Sequence, residues 1–398
     1  MTPAVGTGTG TAGVTTPGGF VANGLACGIK ENGNPDLSLV ATRDGRPAAA
    51  AAVFTTNLAT AAPVVVSRRH LGTTGGRAAA VVLNSGNANA ATGADGLAAS
   101  ERTCALIAEL LGCRPEEVLV CSTGLIGIPL PMEPIEACVA GLVAGLSVDG
   151  GTRAADAILT TDTRRKEVVV AGDGWTVAGM AKGAAMLAPN MATMLAVLTT
   201  DADVTPAALG EALTAATAAS FNRITVDGAT STNDTVIVLA SGTAGPPDPE
   251  AFATAVAEAC ASLALQMVGD AEGATKRATV RVSGARSDQE AATAARRVAE
   301  SQLVKCSLYG RDPYWGRVVS ELGSAGVGFD PDLVSVSYGG VAVCRAGVAC
   351  GHDAAALAAH MAGREVVVAA DLGLGAGRAE VVTADLTHAY VDENMTTS

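Results

Sequence analysis

The chain has 398 residues, 49% hydrophobic and 16% charged, and 39 acidic against 26 basic side chains leave a formal net charge of −13. That length and apolar content exclude a disulfide-stapled miniprotein and a disordered chain. The negative balance repels a phosphate backbone or an anionic bilayer, so neither nucleic acid nor membrane is an expected partner.

With only five Phe, two Trp and four Tyr, the core has to be built from Val, Leu, Ile and Ala. In chain order, residues 2–18 are rich in Gly, Thr and Pro and read as a loose leader. Val- and Ile-enriched runs predict strands over 78–83, 118–122, 167–170, 194–199, 235–239, 279–282, 334–338 and 365–369. Apolar residues at helical spacing predict helices over 98–111, 134–144, 206–219, 248–267, 289–302 and 353–362. Strands and helices interleave, which makes the class mixed α/β. Residues 241–249, with Pro246, Pro247 and Pro249, read as a linker.

The N-terminal residues carry neither a basic leader nor a continuous apolar segment, so a cytoplasmic, soluble protein is expected. Nine cysteines stand singly at Cys27, Cys104, Cys113, Cys121, Cys138, Cys260, Cys306, Cys344 and Cys350, with no C-x-x-C pair. They read as buried free thiols. The four histidines (His70, His352, His360, His388) are isolated from one another, which leaves little for a zinc site or a serine–histidine triad.

The segment 180–201 is the best organised chemically. Pro189 and Asn190 make a turn, and Met194 opens an apolar run suited to a strand buried on both faces, with Thr193 at its entrance. A hydroxyl there can attack the carbonyl of Ala192 and pass through an ester, which water opens to leave Thr193 as a new N-terminus. An α-amine ordinarily titrates near 7.7–8.0, about the range a base needs at neutral pH, so the residue would supply nucleophile and base together. On the residues alone, Thr193 reads rather as an ordinary β-branched residue opening a strand.

The run Lys182-Gly183, Met186, Pro189-Asn190-Met191-Ala192-Thr193-Met194-Leu195 resembles the processing motif of the ornithine acetyltransferase family, the glutamate N-acetyltransferases of arginine biosynthesis. Further matches follow in order along most of the chain: Gly28-Ile29-Lys30 with Asn32-Gly33-Asn34-Pro35-Asp36-Leu37; Asn84-Ser85-Gly86-Asn87-Ala88-Asn89-Ala90; Ser122-Thr123-Gly124-Leu125-Ile126-Gly127; and Thr160-Thr161-Asp162-Thr163. After the processing motif come Thr225-Val226-Asp227-Gly228, Ser231-Thr232-Asn233-Asp234, Glu272-Gly273-Ala274-Thr275-Lys276 and Asp312-Pro313-Tyr314-Trp315-Gly316-Arg317.

The resemblance implies β-sheets sandwiched between helical layers, a fold shared with self-processing aminopeptidases. It implies autocleavage between Ala192 and Thr193 into an α chain, 1–192, and a β chain, 193–398, that share one core. It also implies acetyl transfer from N-acetylornithine to glutamate through an acetyl ester on Thr193, with no metal or cofactor. Some members accept acetyl-CoA as well. The processed halves are expected to stay together as an αβ heterodimer and to assemble further, as a heterotetramer or larger.

By the same resemblance Thr123 and Gly124 form the oxyanion position, and Thr160, Lys182, Thr193, Glu272, Asn394 and the terminal Ser398 contact substrate. Lys182 suits a substrate carboxylate and Glu272 an ammonium. As bare residues, Thr123-Gly124 is also an ordinary turn after a strand, Lys182 a snorkelling lysine and Glu272 a helix-end carboxylate. Thr160 and Asn394 are small polar residues of the kind that serve the backbone. The asparagines of 84–89 are expected to brace the site, and Arg317 to stack on Trp315.

The sequence departs from the family pattern at Ala185 and Ala271, where Gly is usual, at Ala229, where Asp is usual, and at Ala91, where Cys is usual. It also ends one residue short after Asn394. Ala185 and Ala271 are expected to restrict the backbone near the site. A self-processing amidase or aminopeptidase would use the same Thr193 with water as acceptor, and a non-enzymatic amino-acid-binding scaffold is the remaining alternative.

Overall fold

The computed structural model describes residues 13–186 and 194–395. In chain order the elements are β1 (Phe20–Leu25), β2 (Leu37–Thr42), β3 (Ala48–Phe54), α1 (Ala62–Thr74), β4 (Arg77–Ala78), β5 (Ala80–Asn87), α2 (Gly93–Leu111), β6 (Val118–Leu125), α3 (Met132–Ala144), α4 (Gly151–Ala157), β7 (Lys166–Ala171), β8 (Thr176–Lys182) and β9 (Leu195–Ala202). They continue with α5 (Pro206–Ala219), β10 (Ile224–Thr225), β11 (Thr235–Gly245), α6 (Pro249–Val268), β12 (Arg277–Ala285), α7 (Asp288–Glu300), α8 (Gln302–Tyr309), α9 (Trp315–Gly323), β13 (Ser335–Tyr338), β14 (Val341–Arg345), β15 (Val348–Ala349), α10 (Ala354–Ala362), β16 (Glu365–Asp371), β17 (Gly377–Ala384) and α11 (His388–Asn394). The chain divides into two compact units, one of residues 1–183, 190–222 and 230–264, the other of 184–189, 223–229 and 265–398.

The first unit holds two sheets, in strand order β1-β2-β5-β6 and β4-β3-β11-β9-β8-β7. Strand alternation gives each sheet two faces. Val40, Val81, Leu83 and Leu119 of the first sheet form one core with Met180, Leu195, Val197, Ile237 and Leu239 of the second. The opposite face of the first sheet (Leu37, Leu39, Val82, Val120) packs on Ile107 and Ala108 of α2 and on Ile135, Val139 and Leu142 of α3. On the second sheet, α5 lies against β3 and β11. The result is helices, sheet, sheet, helices, the layered α/β architecture expected.

At the centre of the second sheet, β9 pairs antiparallel with β8 and parallel with β11, the parallel connection running through α5. Val197 and Leu198 are fully buried, and each such side chain contributes about 1.5–3 kcal/mol over leaving it in water. This strand, entered from Met194, therefore begins at Leu195 in a buried, doubly paired position.

The second unit has one sheet, β10-β17-β12-β16-β13-β14-β15. β16 alternates, burying Val366, Val368 and Ala370, which is the pattern of a strand with one covered face. α7 lays Ala291, Ala294, Ala295, Val298 and Ala299 on that core, and their small size lets the helix lie close to β12 and β17.

Several expectations need correction. Residues 13–18 are not a loose leader: Val14 is fully buried in the inter-sheet core, and its carbonyl accepts from Thr199 Oγ1 at 2.6 Å. Residues 241–245 are not linker but the end of β11, because the strand continues past a bulge to pair Gly245 with Ala202. Only Cys104, Cys121, Cys260 and Cys344 are buried, and Cys306 is exposed; all nine are free. The helix expected over 289–302 breaks at Ser301, whose hydroxyl accepts the Val304 N–H and starts α8. α6 is long and apolar enough to cross a membrane. Its Phe252, Val256, Cys260 and Leu263 recur at helical spacing and are buried, so its apolar stripe is core.

Candidate functional site

In the first unit the parallel pair β5–β6 brings Ser85 opposite Thr123 and Gly86 opposite Gly124 before the ladder slips at Asn87. Gly124 has φ +135°, and a Cβ there would lie 2.2 Å from the carbonyl carbon of Gly86, so only glycine lets the two strand ends come this close. Thr123 is buried, whereas Gly124 and the residues after it emerge to solvent. The strand thus ends as a buried hydroxyl followed by an accessible peptide.

The asparagine run braces these ends, as expected. Asn84 Nδ2 donates to Asn87 O at 2.8 Å, Asn87 Nδ2 to Pro129 O at 3.1 Å, and Asn89 Nδ2 to Gly96 O at 2.9 Å. Asn233, not singled out as a site residue, joins them by donating to Ala88 O at 2.6 Å and Ser122 O at 2.9 Å.

Lys182 is the last residue of β8 and pairs with Leu195 of β9, two positions beyond Thr193. Its ammonium donates to Thr123 Oγ1 at 3.3 Å and lies 3.9 Å from Asp162 Oδ2. A lysine with 5% of its side chain accessible is not snorkelling. Asp162 gathers the rest: it pairs with the fully buried Lys166, accepts the Gly183 N–H at 2.7 Å, and accepts the Thr160 N–H at 3.1 Å and hydroxyl at 3.4 Å. Burial alone would raise the Asp162 carboxyl, but Lys182, Lys166 and the Gly183 amide outweigh it and hold the group at about 2. Asp162 therefore stays ionised and holds Thr160 and Lys182, two expected substrate positions, on one carboxylate.

Beside the same strand entrance, the Met194 N–H donates to Asp234 Oδ1 at 2.8 Å. Burial pushes the Asp234 carboxyl well above its ordinary value, opposed by the Met194 N–H, Lys182 and the hydroxyls of Ser231 and Thr55.

In the second unit, Glu272 and Asn394 meet: Asn394 Nδ2 donates to Glu272 Oε2 at 2.6 Å and to Tyr390 O at 2.9 Å. The start of α11 is fixed by Thr387, which accepts the Tyr390 N–H and donates to Gly273 O at 2.8 Å, so the helix and the Glu272 turn are tied together. Glu272 is 7% exposed and its N–H donates to Ala184 O at 3.0 Å, adjoining the processing segment. Asp227 accepts from the Met186 N–H and from Tyr390 Oη, whose phenol burial and then Asp227 push up to about 12.

Thr123, Gly124, Thr160 and Lys182 are thus gathered in the first unit, and Glu272 with Asn394 in the second. Ala192, Thr193 and Ser398 lie outside the described residues. Ala185 and Ala271 do not occupy left-handed backbone, so alanine is accommodated at both. Arg317 sits 5.7 Å over the Tyr314 ring rather than on Trp315. Residue 315 opens α9, which leaves residue 314 as the ring within reach.

A family model described as the ArgJ family matches residues 21–397. The chain is 50% identical over 382 residues to the arginine biosynthesis bifunctional protein ArgJ of Streptomyces avermitilis, covering 96% of this chain and 98% of the relative. It is 48% identical over 391 residues to the protein of the same name from Mycobacterium tuberculosis, covering 96% and 95%. Among solved structures it is similar to ornithine acetyltransferase from Mycobacterium tuberculosis complexed with ornithine, at 46% identity over 46% of this chain and 96% of that one, with a TM-score of 0.43.

Proposed function

This chain belongs to the ArgJ family, and from that membership and the side chains gathered above we propose that it transfers acetyl from N-acetylornithine to glutamate through Thr193. The hydroxyl of Thr193 adds to the acetyl carbonyl. The tetrahedral oxyanion collapses to an acetyl ester on Oγ as the C–N bond breaks, and ornithine leaves with the proton that the Thr193 α-amine took from the hydroxyl. The amine of glutamate then attacks the ester, giving N-acetylglutamate and restoring the hydroxyl. Acetyl-CoA entering at the first step would make the enzyme bifunctional.

The α-amine exists only once the Ala192–Thr193 bond is cut, so the proposal includes self-cleavage into 1–192 and 193–398, which remain associated as an αβ heterodimer and a larger assembly of such pairs. Both chemical steps build negative charge on the acetyl oxygen, and donors aimed at that charge are worth more than donors to the resting carbonyl. Thr123 Oγ–H and Gly124 N–H take that role. Lys182 suits a substrate carboxylate and Glu272 an ammonium, with Thr160, Asn394 and Ser398 as further substrate contacts.

The observation that carries this reading is the Lys182 bond to Thr123. It uses the hydroxyl oxygen as acceptor, so the hydroxyl proton is left to donate. A hydrolase would use the same groups with water. Incubating purified protein with N-acetylornithine tests the difference: N-acetylglutamate forming only when glutamate is added supports transfer, and glutamate-independent release of acetate and ornithine contradicts it.

A further inference from the structure

β9 joins its sheet at Leu195, so the Met194 N–H lies ahead of the regular ladder. A buried N–H there needs a partner. Asp234 supplies it: Oδ1 accepts the Met194 N–H at 2.8 Å, and the next residue, Thr235, donates its own N–H to Met194 O at 3.1 Å. Asp234, just ahead of β11, and Thr235, its first residue, thus hold both polar groups of Met194. Strand ends fray unless tied, and this clamp leaves a single residue, Thr193, on its N-terminal side once the chain is cut.

The other carboxyl oxygen is a second, independent sign. Among the described residues Asp234 Oδ2 is buried and has no hydrogen-bond partner within bonding geometry, although the hydroxyls of Thr55 and Ser231 stand beside the carboxyl. Burying a second carboxyl oxygen costs free energy that the bond to the Met194 amide does not require.

We propose that Asp234 is a positioning residue for Thr193: through the Met194 N–H it fixes the strand end that carries the nucleophile, for chain cleavage and for acyl transfer alike. The inference rests on the reading of Thr193 as nucleophile. Burial raises the Asp234 carboxyl, and asparagine offers the Met194 N–H the same acceptor oxygen without a charge.

The test uses the full chain with Asp234→Ala and Asp234→Asn. Cleavage is followed by intact mass, and kcat and KM for N-acetylornithine and glutamate are normalised to cleaved chain. Misplacement of a reacting group by an ångström costs about 10²-fold, so Asp234→Ala should lose about that much kcat with both KM values little changed, and Asp234→Asn should recover most of it. A purely structural role would instead lower the folded fraction and leave kcat per folded, cleaved chain intact, which overturns the proposal. So does an Asp234→Asn protein as slow as Asp234→Ala, because the acceptor would then not be what matters. If Asp234→Ala does not fold, Asp234→Glu takes its place: one extra methylene displaces the acceptor, and a kcat equal to that of Asp234→Asn overturns the positioning role. A wild-type chain that cleaves but transfers no acetyl group removes the reading of Thr193 itself, a result separable from all of these.

Discussion

The ammonium of Lys182 lies 3.3 Å from the hydroxyl oxygen of Thr123, although the two residues are 59 positions apart and on different sheets. The contact orients the hydroxyl and places a positive charge behind it. Replacing Thr123 by Val keeps the shape and removes the donor. In the proposed mechanism that lowers kcat about 10²–10³-fold, with KM for N-acetylornithine largely preserved, in steady-state assays of cleaved enzyme. A Thr123→Val enzyme with wild-type kcat would remove this residue from the oxyanion position.

Asp162 ties two buried lysines to one carboxylate, and breaking such a network leaves charge uncompensated. Asp162→Asn should destabilise the chain by about 3–5 kcal/mol in denaturant unfolding near neutral pH. The acid limb carries the sign. The folded carboxyl sits at about 2 against an ordinary 3.8, so the unfolded chain takes up the proton first as pH falls. Its stabilisation is complete above about pH 4 and is lost as pH drops through about 2. Asp162→Asn should flatten that part of the stability curve, and an unchanged acid slope would contradict the assignment.

Gly124 has room for no side chain, because an added Cβ meets backbone rather than a movable side-chain end. Gly124→Ala must displace the Gly86–Asn87 peptide and also strain its own φ, a cost of about 1–3 kcal/mol for the backbone alone. Thermal unfolding should show the loss, and kcat should fall further than the stability change explains. A variant as stable as the wild type would mean that the two strand ends yield easily.

The pair Asn394 and Glu272 predicts a binding defect rather than a chemical one. Asn394→Ala removes a bond to a charged acceptor, worth about 1.5–3 kcal/mol, and leaves Glu272 free to turn away from an incoming ammonium. KM for N-acetylornithine or glutamate should rise by about 10-fold or more with kcat less affected, whereas an unchanged KM for both would detach Asn394 from substrate.

What the sequence disclosed, and what it hid, follows from the range of the interactions. β9 and β16 were legible because strand burial writes itself into neighbouring residues. β3 was not: five of the seven residues of Ala48–Phe54 are alanine, and its pairing with β11 and β4 makes it a strand. α1 was hidden by three consecutive valines, which disfavour a helix that Gly75 nevertheless closes in the left-handed conformation. Thr123, Gly124 and Lys182 could be named through their motifs, but not their mutual bond, since nothing local relates residues 123 and 182. Asp162 and Asp234 stood inside quoted motifs without a role, because a carboxylate's meaning lies in what the fold brings to it. For the same reason nothing in the sequence tells that Arg317 meets the ring of Tyr314 and not that of Trp315.

The proposed mechanism depends on one backbone bond being broken by the residue that later carries the acetyl group. Intact-mass measurement of the purified wild-type chain and of Thr193→Ala tests this most directly. The wild type should give two polypeptides, 1–192 and 193–398, and the variant a single uncut chain without acetyl transfer. An active wild-type preparation that remains one chain, or a Thr193→Ala chain that still divides at 192, would contradict it.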